Sequence, residues 1–253
     1  MRRWPARYSD SSARQRVVRG VPLALAILAP MAVLTGTANA RSPASHGQPR
    51  SEIALLTRAH ALVSPQGKPL ERNTVVLARR PITGVRTALP IIGRTVTLAG
   101  ARLLHVLLPG RPNGSQGWIE QEGTALSMTS WRIVIRTASR RLLVYHHGRL
   151  ERAFTAIVGT PATPTPHGTF FVEESVRMPP GSAGGPYALA LSAHSEVLQE
   201  FQGGPGQIAI HGVAQLMGKL GTASSHGCIR LDEESIRWMA GHIAPGVEVR
   251  ITP

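Results

Sequence analysis

The sequence predicts a mostly-β fold, a small N-terminal barrel followed by a larger β-rich domain with one or two helices. Three observations predict it. Short apolar runs, several of them alternating with polar residues, recur between turn residues from Glu52 to the C-terminus. Prolines at 161, 164 and 166 exclude a helix from the middle of the second half. Strong helix signals gather near the end, where Asp232 is a good N-cap, Glu233 and Glu234 suit the positive end of the dipole, and Gly241 is a plausible stop.

Taken in order, residues 1–40 read as a leader. Arg2, Arg3, Arg7, Arg14, Arg16 and Arg19 make it basic, and the uncharged stretch "VPLALAILAPMAVL" (21–34) follows. "TANA" then places Ala38 and Ala40 in the small-x-small pattern after which signal peptidases cut. The apolar core is shorter than the about 20 residues of a membrane span. A signal peptide is therefore expected, with an uncleaved N-terminal anchor as the alternative. Either way the protein is expected to be exported, to the cell envelope or secreted, and to meet the membrane only if the leader stays on. "RSPASHGQPRS" (41–51) reads as a linker.

Residues 52–126 are expected to form the small β domain. "TVVLARR" (74–80), "TVTLAG" (95–100), "RLLHVLLPG" (102–110) and "GWIEQ" (117–121) each read as a strand followed by a turn, with Trp118 in the core. The larger domain, 128–253, opens with the alternating "WRIVIRT" and continues through "RRLLVYHHGRL", "RAFTAIVG" and "GTFFVEE" to "YALALSA" and "GQIAIHG". His147-Gly148 and His167-Gly168 are expected at hairpin turns, and His105 and His194 are expected as core or surface residues without chemistry. "MPPGSAGGP" (178–186) is loop by composition, a long connection of the kind that borders binding sites in compact domains.

The formal charge is +14; without residues 1–40 the chain loses six arginines and Asp10 and stands at +9. A basic exported protein suits an acidic polymer such as a bacterial cell wall. Only two lysines stand beside twenty-six arginines, and no basic tract is interleaved with aromatics, so nucleic acid is not an expected partner.

Cys228 is the only cysteine, and an unpaired thiol is a liability in an oxidising compartment. It stands in "ASSHGCIRL" (223–231), among Ser225, His226, Gly227 and Arg230, where cationic neighbours are expected to lower the thiol pKa. A base is also needed. "IAIHG" ends a strand pattern with His211 beside Gly212, so a Cys228–His211 thiol–imidazole couple is expected. Gly227 allows close approach of the main chain, which makes the Gly227 and Cys228 N–H groups candidates for an oxyanion hole. Ser225 is placed to fix the turn or the imidazole, and His226 to support the site. Arg230 is placed to hold the loop or a substrate carboxylate. Beyond the leader the only aspartate is Asp232, better used as a cap, so a backbone carbonyl is the expected partner of His211. The competing reading gathers His211, His226 and Cys228 on a metal; with too few ligands at recognisable spacing, no metal is expected.

"SSHGCIRL" and the upstream "IAIHG" resemble the signature of the L,D-transpeptidases with the YkuD-type catalytic domain, and "VGTPATPTPHGTFFV" is similar to that family's strand–turn–strand entry. "LLHVLLPGRPNGSQGWIEQE" resembles the SH3-like modules found ahead of catalytic domains in exported cell-wall proteins. The first resemblance implies an enzyme of peptidoglycan. By that resemblance Cys228 is expected to attack the carbonyl joining the third residue of a stem tetrapeptide to its terminal D-alanine, with His211 moving the proton. The thioester is then expected to pass to an amine on a neighbouring stem, giving a 3→3 cross-link, or to another amine acceptor. It implies no cofactor, and carbapenems as acylating inhibitors. An L,D-carboxypeptidase, in which water takes the same thioester, and a cell-wall-binding module without activity are the alternatives.

Overall fold

The computed structural model describes residues 50–70, 74–201 and 203–253. The leader and nearly all of the linker therefore lie outside the described residues.

The first part of the chain gives seven strands: β1 (Ser51–Leu56), β2 (His60–Ala61), β3 (Val75–Val76), β4 (Ala88–Val96), β5 (Arg102–Leu107), β6 (Gln116–Glu120) and β7 (Thr124–Thr129). Five form an antiparallel sheet in the order β6-β5-β4-β1-β7, and β2 pairs with β3 alone. Three expectations change here. The strand at 74–80 shrinks to the two residues of β3. The strand at 95–100 is only the end of β4, which begins at Ala88, and Thr97–Gly100 is a turn closed by Gly100 N–H to Thr97 O. Pro90 and a bulge between Ile91 and Gly93 break the alternation that would have advertised β4. Trp118 is not in the core. With a side-chain period of two, Ile119 takes the interior and turns Trp118 to the other face, stacked on His105 at 4.5 Å.

The second part adds β8 (Trp131–Arg136), β9 (Arg141–His146), β10 (Arg149–Thr155), β11 (Val158–Gly159), β12 (Gly168–Arg177), β13 (Tyr187–His194), β14 (Gln207–Gly212), β15 (Ala223–Ser225), β16 (Ile229–Leu231) and β17 (Glu248–Thr252), with one helix, α1 (Glu233–His242). Eight strands make a mixed sheet in the order β10-β9-β8-β17-β12-β13-β14-β16, and β11 pairs with β15. The β8–β17 and β14–β16 pairs are parallel. Ile133, Ile135, Leu142, Val144, Val249 and Ile251 point inward by simple alternation. His147 and Gly148 turn the β9–β10 hairpin with φ of 50° and 75°, as expected. His167-Gly168 does not form a hairpin turn: Gly168 opens β12, and His167 Nε2 lies 2.9 Å from Thr137 Oγ1. Asp232 caps α1 by accepting from Ser235 N–H at 2.8 Å, and the helix runs one residue past Gly241.

The two sheets meet on one strand. Phe170 of β12 is buried in the core of the second part, while its neighbour Phe171 points the other way into the core of the first, among Leu56, Leu89, Leu104 and Ile119. The described residues form one compact unit.

Candidate active site

The site is assembled by the parallel pairing of β14 and β16, which places Ile210 beside Ile229 and His211 beside Arg230. Cys228 immediately precedes β16, so the same register brings it level with Ala209. In β14 the even residues Ile208 and Ile210 are buried, and Ala209 and His211 share the opposite, half-buried side. Seventeen residues of sequence separation are thus closed by one strand pair. Cys228 and His211 line the same pocket, about 560 Å³ in volume, together with His226 and Arg230. Cys228 is half-buried and has no disulfide partner.

The imidazole is held from two sides. His211 Nδ1 lies 2.7 Å from Gly212 O, a backbone carbonyl and not a carboxylate. Acting as donor at Nδ1 leaves Nε2 free to accept a proton. Over the ring lies the loop between β12 and β13. A Cβ at Gly184, whose φ is +81°, would sit 2.7 Å from His211 Nδ1, and one at Gly212 would sit 1.9 Å from Gly185 O. Main-chain bonds from Gly212 N–H to Gly184 O and from Gly184 N–H to Ala214 O fix this contact. Gly184 is a site residue that sequence reasoning missed; the Gly-Gly dipeptide in the 178–186 loop was its only signal.

The cysteine turn is built by its own hydroxyl. Ser225 is buried, its Oγ donating to Cys228 O at 2.6 Å and accepting from Gly227 N–H at 3.2 Å. Of the two uses expected for Ser225, the structure places it on the turn. The Gly227 N–H is consequently committed within the turn. Cys228 N–H, by contrast, has no acceptor among the turn and loop hydrogen bonds of the described residues. Gly227 has φ +118°, and a Cβ there would press on Ile208 Cδ1 at 3.0 Å. From below, Thr165 Oγ1 donates to Gly227 O at 2.8 Å and accepts from Gly159 N–H, while Thr160 N–H donates to Ser225 O. The "GTPATPTP" segment is therefore the buttress of the cysteine turn, a role its composition did not disclose.

Arg230 is 8% exposed and donates from Nη1 to Met217 O at 2.8 Å, so it anchors the 213–222 loop while lining the pocket. His226 is exposed at the rim, 5.2 Å from Phe201. Among the described residues no three His, Cys, Asp or Glu side chains gather as metal ligands.

The electrostatics depart from the expectation of a cation-lowered thiol. Burial raises the Cys228 pKa above its ordinary value of 9.0; a main-chain hydrogen bond from Ala209 and the Arg230 charge pull it down by less. Burial lowers the His211 pKa below 6.5, opposed by the Gly212 hydrogen bond and assisted by Arg230. At neutral pH both partners are uncharged, a thiol beside a free-base imidazole.

Residues 130–251 match the L,D-transpeptidase catalytic domain. The family is YkuD, and the match spans just under half of the chain. The chain is 32% identical over 124 residues to a Bacillus licheniformis protein named "Putative L,D-transpeptidase YkuD", a match covering 49% of this chain and 66% of the relative. Among solved structures it is similar to an L,D-transpeptidase from Mycobacterium smegmatis, with 16% identity, TM-score 0.39, and 60% of this chain and 90% of that one covered. L,D-transpeptidase 3 from Mycobacterium tuberculosis, solved with a faropenem-derived adduct, gives 14% identity, TM-score 0.43, and coverage of 66% and 91%.

Proposed function

We propose that the protein is an exported, cysteine-dependent L,D-transpeptidase of peptidoglycan. The observation that carries the reading is the shared pocket of Cys228 and His211, built on a YkuD-type domain. In the first step the Cys228 sulfur attacks the carbonyl between the third stem residue and D-alanine, as His211 takes the thiol proton. Cys228 N–H faces the oxyanion that develops. The C–N bond breaks, the proton passes from His211 to the leaving amine, and D-alanine departs with a thioester left on Cys228. An amine of a second stem then attacks the thioester, gives its proton to His211, and expels the sulfur, which takes the proton back. The new amide is a 3→3 cross-link, or a link to another amine. Every step uses groups of the chain and its two substrates.

Export rests on the leader, which also sets the cell wall as the place of action. Carbapenems, whose strained carbonyl offers the same thiol an acyl group, are expected to acylate Cys228. The first sheet is read as a spacer ahead of the catalytic part, with wall binding as the alternative that the SH3-like resemblance offers.

The test is intact-protein mass spectrometry with a disaccharide-tetrapeptide, and separately a carbapenem, on the wild type and Cys228→Ala. An adduct on the wild type alone is expected; one that survives the substitution removes Cys228 from the chemistry. Two-stem products support transfer, and tripeptide alone makes the enzyme an L,D-carboxypeptidase.

A further inference from the structure

The connection between β13 and β14 forms one wall of the active-site pocket, contributing Ser195, Leu198, Phe201 and Gly206. It is closed at its base by Ser195 N–H to Gly206 O at 2.8 Å, and Ser195 Oγ accepts from Leu198 N–H at 3.0 Å. What holds it against the cleft comes from the other sheet. The β5–β6 hairpin reaches across with two side chains. Asn113 pairs with the main chain of His194 as a strand would: Nδ2 donates to His194 O and Oδ1 accepts from His194 N–H, both at 2.8 Å. Arg111 Nη2 donates to Leu198 O at 3.1 Å and to Pro205 O at 3.2 Å, one carbonyl on each limb of the connection. A single guanidinium thus ties both limbs together. At the far end of the wall the Phe201 ring lies tilted against His226, two residues from the thiol.

We infer that Arg111 and Asn113 are positioning residues for the substrate groove, so that the N-terminal sheet is a structural part of the peptide-binding cleft. The wall they hold is apolar at Leu198 and Phe201, which suits the aliphatic flank of an extended stem peptide more than its charged groups. The inference rests on the reading that the cleft accepts peptide stems. Loosening the wall leaves Cys228 and His211 in place, because their positions are set by the β14–β16 register and by Ser225. The effect therefore falls on binding of a long substrate and not on the reactivity of the thiol.

The experiment uses the full chain with Asn113→Ala and Arg111→Ala. The second is exposed and bonds only to carbonyls of this connection, so it leaves the fold intact. Hydrogen exchange of the amides at 195–201, 203, 204 and 206 is expected to quicken about tenfold, the worth of one or two lost hydrogen bonds, with α1 unchanged. KM for the tetrapeptide is expected to rise about tenfold with kcat within about twofold. Alkylation of Cys228 by iodoacetamide, too small to need the wall, is expected to stay within about twofold. Unchanged exchange overturns the clamp. Quickened exchange with unchanged KM, or a loss confined to kcat, overturns the role in the groove. A wild type that turns over no tetrapeptide overturns the functional reading and with it the binding half of this one, while the exchange measurement still decides whether the clamp exists.

Discussion

At the scale of residues, the Cys228–His211 pair is defined by what burial does to two opposite kinds of acid. Desolvation disfavours the charged form of each, so the thiol is pushed up and the imidazole down. Arg230, level with His211 in the sheet, disfavours the imidazolium and favours the thiolate, but burial is the larger effect for both. The neutral pair is therefore the resting form between the two apparent pKa values, and under the proposed mechanism proton transfer accompanies attack on the carbonyl. Acylation by a carbapenem is expected to fall as pH drops through a midpoint below 6.5, where the imidazole charges, and to stay level through neutrality. His211→Ala should remove that acid limb and slow acylation by about 10²–10⁴-fold, the usual worth of a general base. A profile that instead climbs steadily toward pH 9 in the wild type shows a thiolate reacting without the imidazole.

At the scale of elements, the loop between β12 and β13 does more than connect. Its composition marked it as a binding-loop candidate, and in the structure Met178, Ala183 and Gly184 line the pocket. Gly184 is where this loop and β14 touch, with room for a hydrogen and not for a methyl group. Gly184→Ala forces a left-handed φ on an L-residue, at about 1–2 kcal/mol, and drives a carbon against the ring. A shift of the imidazole by the order of 1 Å is enough to slow acylation about 10²-fold. We expect that loss, with α1 amide exchange unchanged; full activity in the variant means the ring does not depend on this contact. The cap of α1 and the alternating strands β8, β9 and β14 were legible because each is specified within a few neighbouring residues. β4 was not, because a proline and a bulge interrupt its pattern and tertiary pairing with β1 and β5 overrides it.

At the scale of the whole molecule, β12 carries the coupling between the two sheets. Phe170 and Phe171 commit adjacent residues to two cores, and Glu173 and Glu174 extend the contact through polar groups. Arg80 donates to Glu173, whose side chain is 1% exposed, and Thr83 donates to Glu174 Oε2 from Oγ1 at 2.7 Å and from N–H at 3.0 Å. Removing Arg80 strands a buried carboxylate, which typically costs about 3–5 kcal/mol. Arg80→Met is expected to lose that much in urea unfolding, in one transition that near-ultraviolet circular dichroism and fluorescence report together. Adding Glu173→Leu should restore most of the loss, since the stranded charge goes with it. Two separate transitions in the wild type mean that the sheets fold independently and that β12 does not join them.

By itself the sequence determined the chemistry on offer and its address: one thiol in a glycine-serine turn, one histidine at a strand end, and a β-rich scaffold around both. Those follow from side-chain chemistry and from periodicities that a short window contains. Only the tertiary structure decided the direction in which burial moves the two pKa values and the reach of the first sheet into the cleft. Both depend on what lies across the fold — buried protein around Cys228, Arg111 against Leu198 — and no local pattern encodes a neighbour that arrives from tens of residues away.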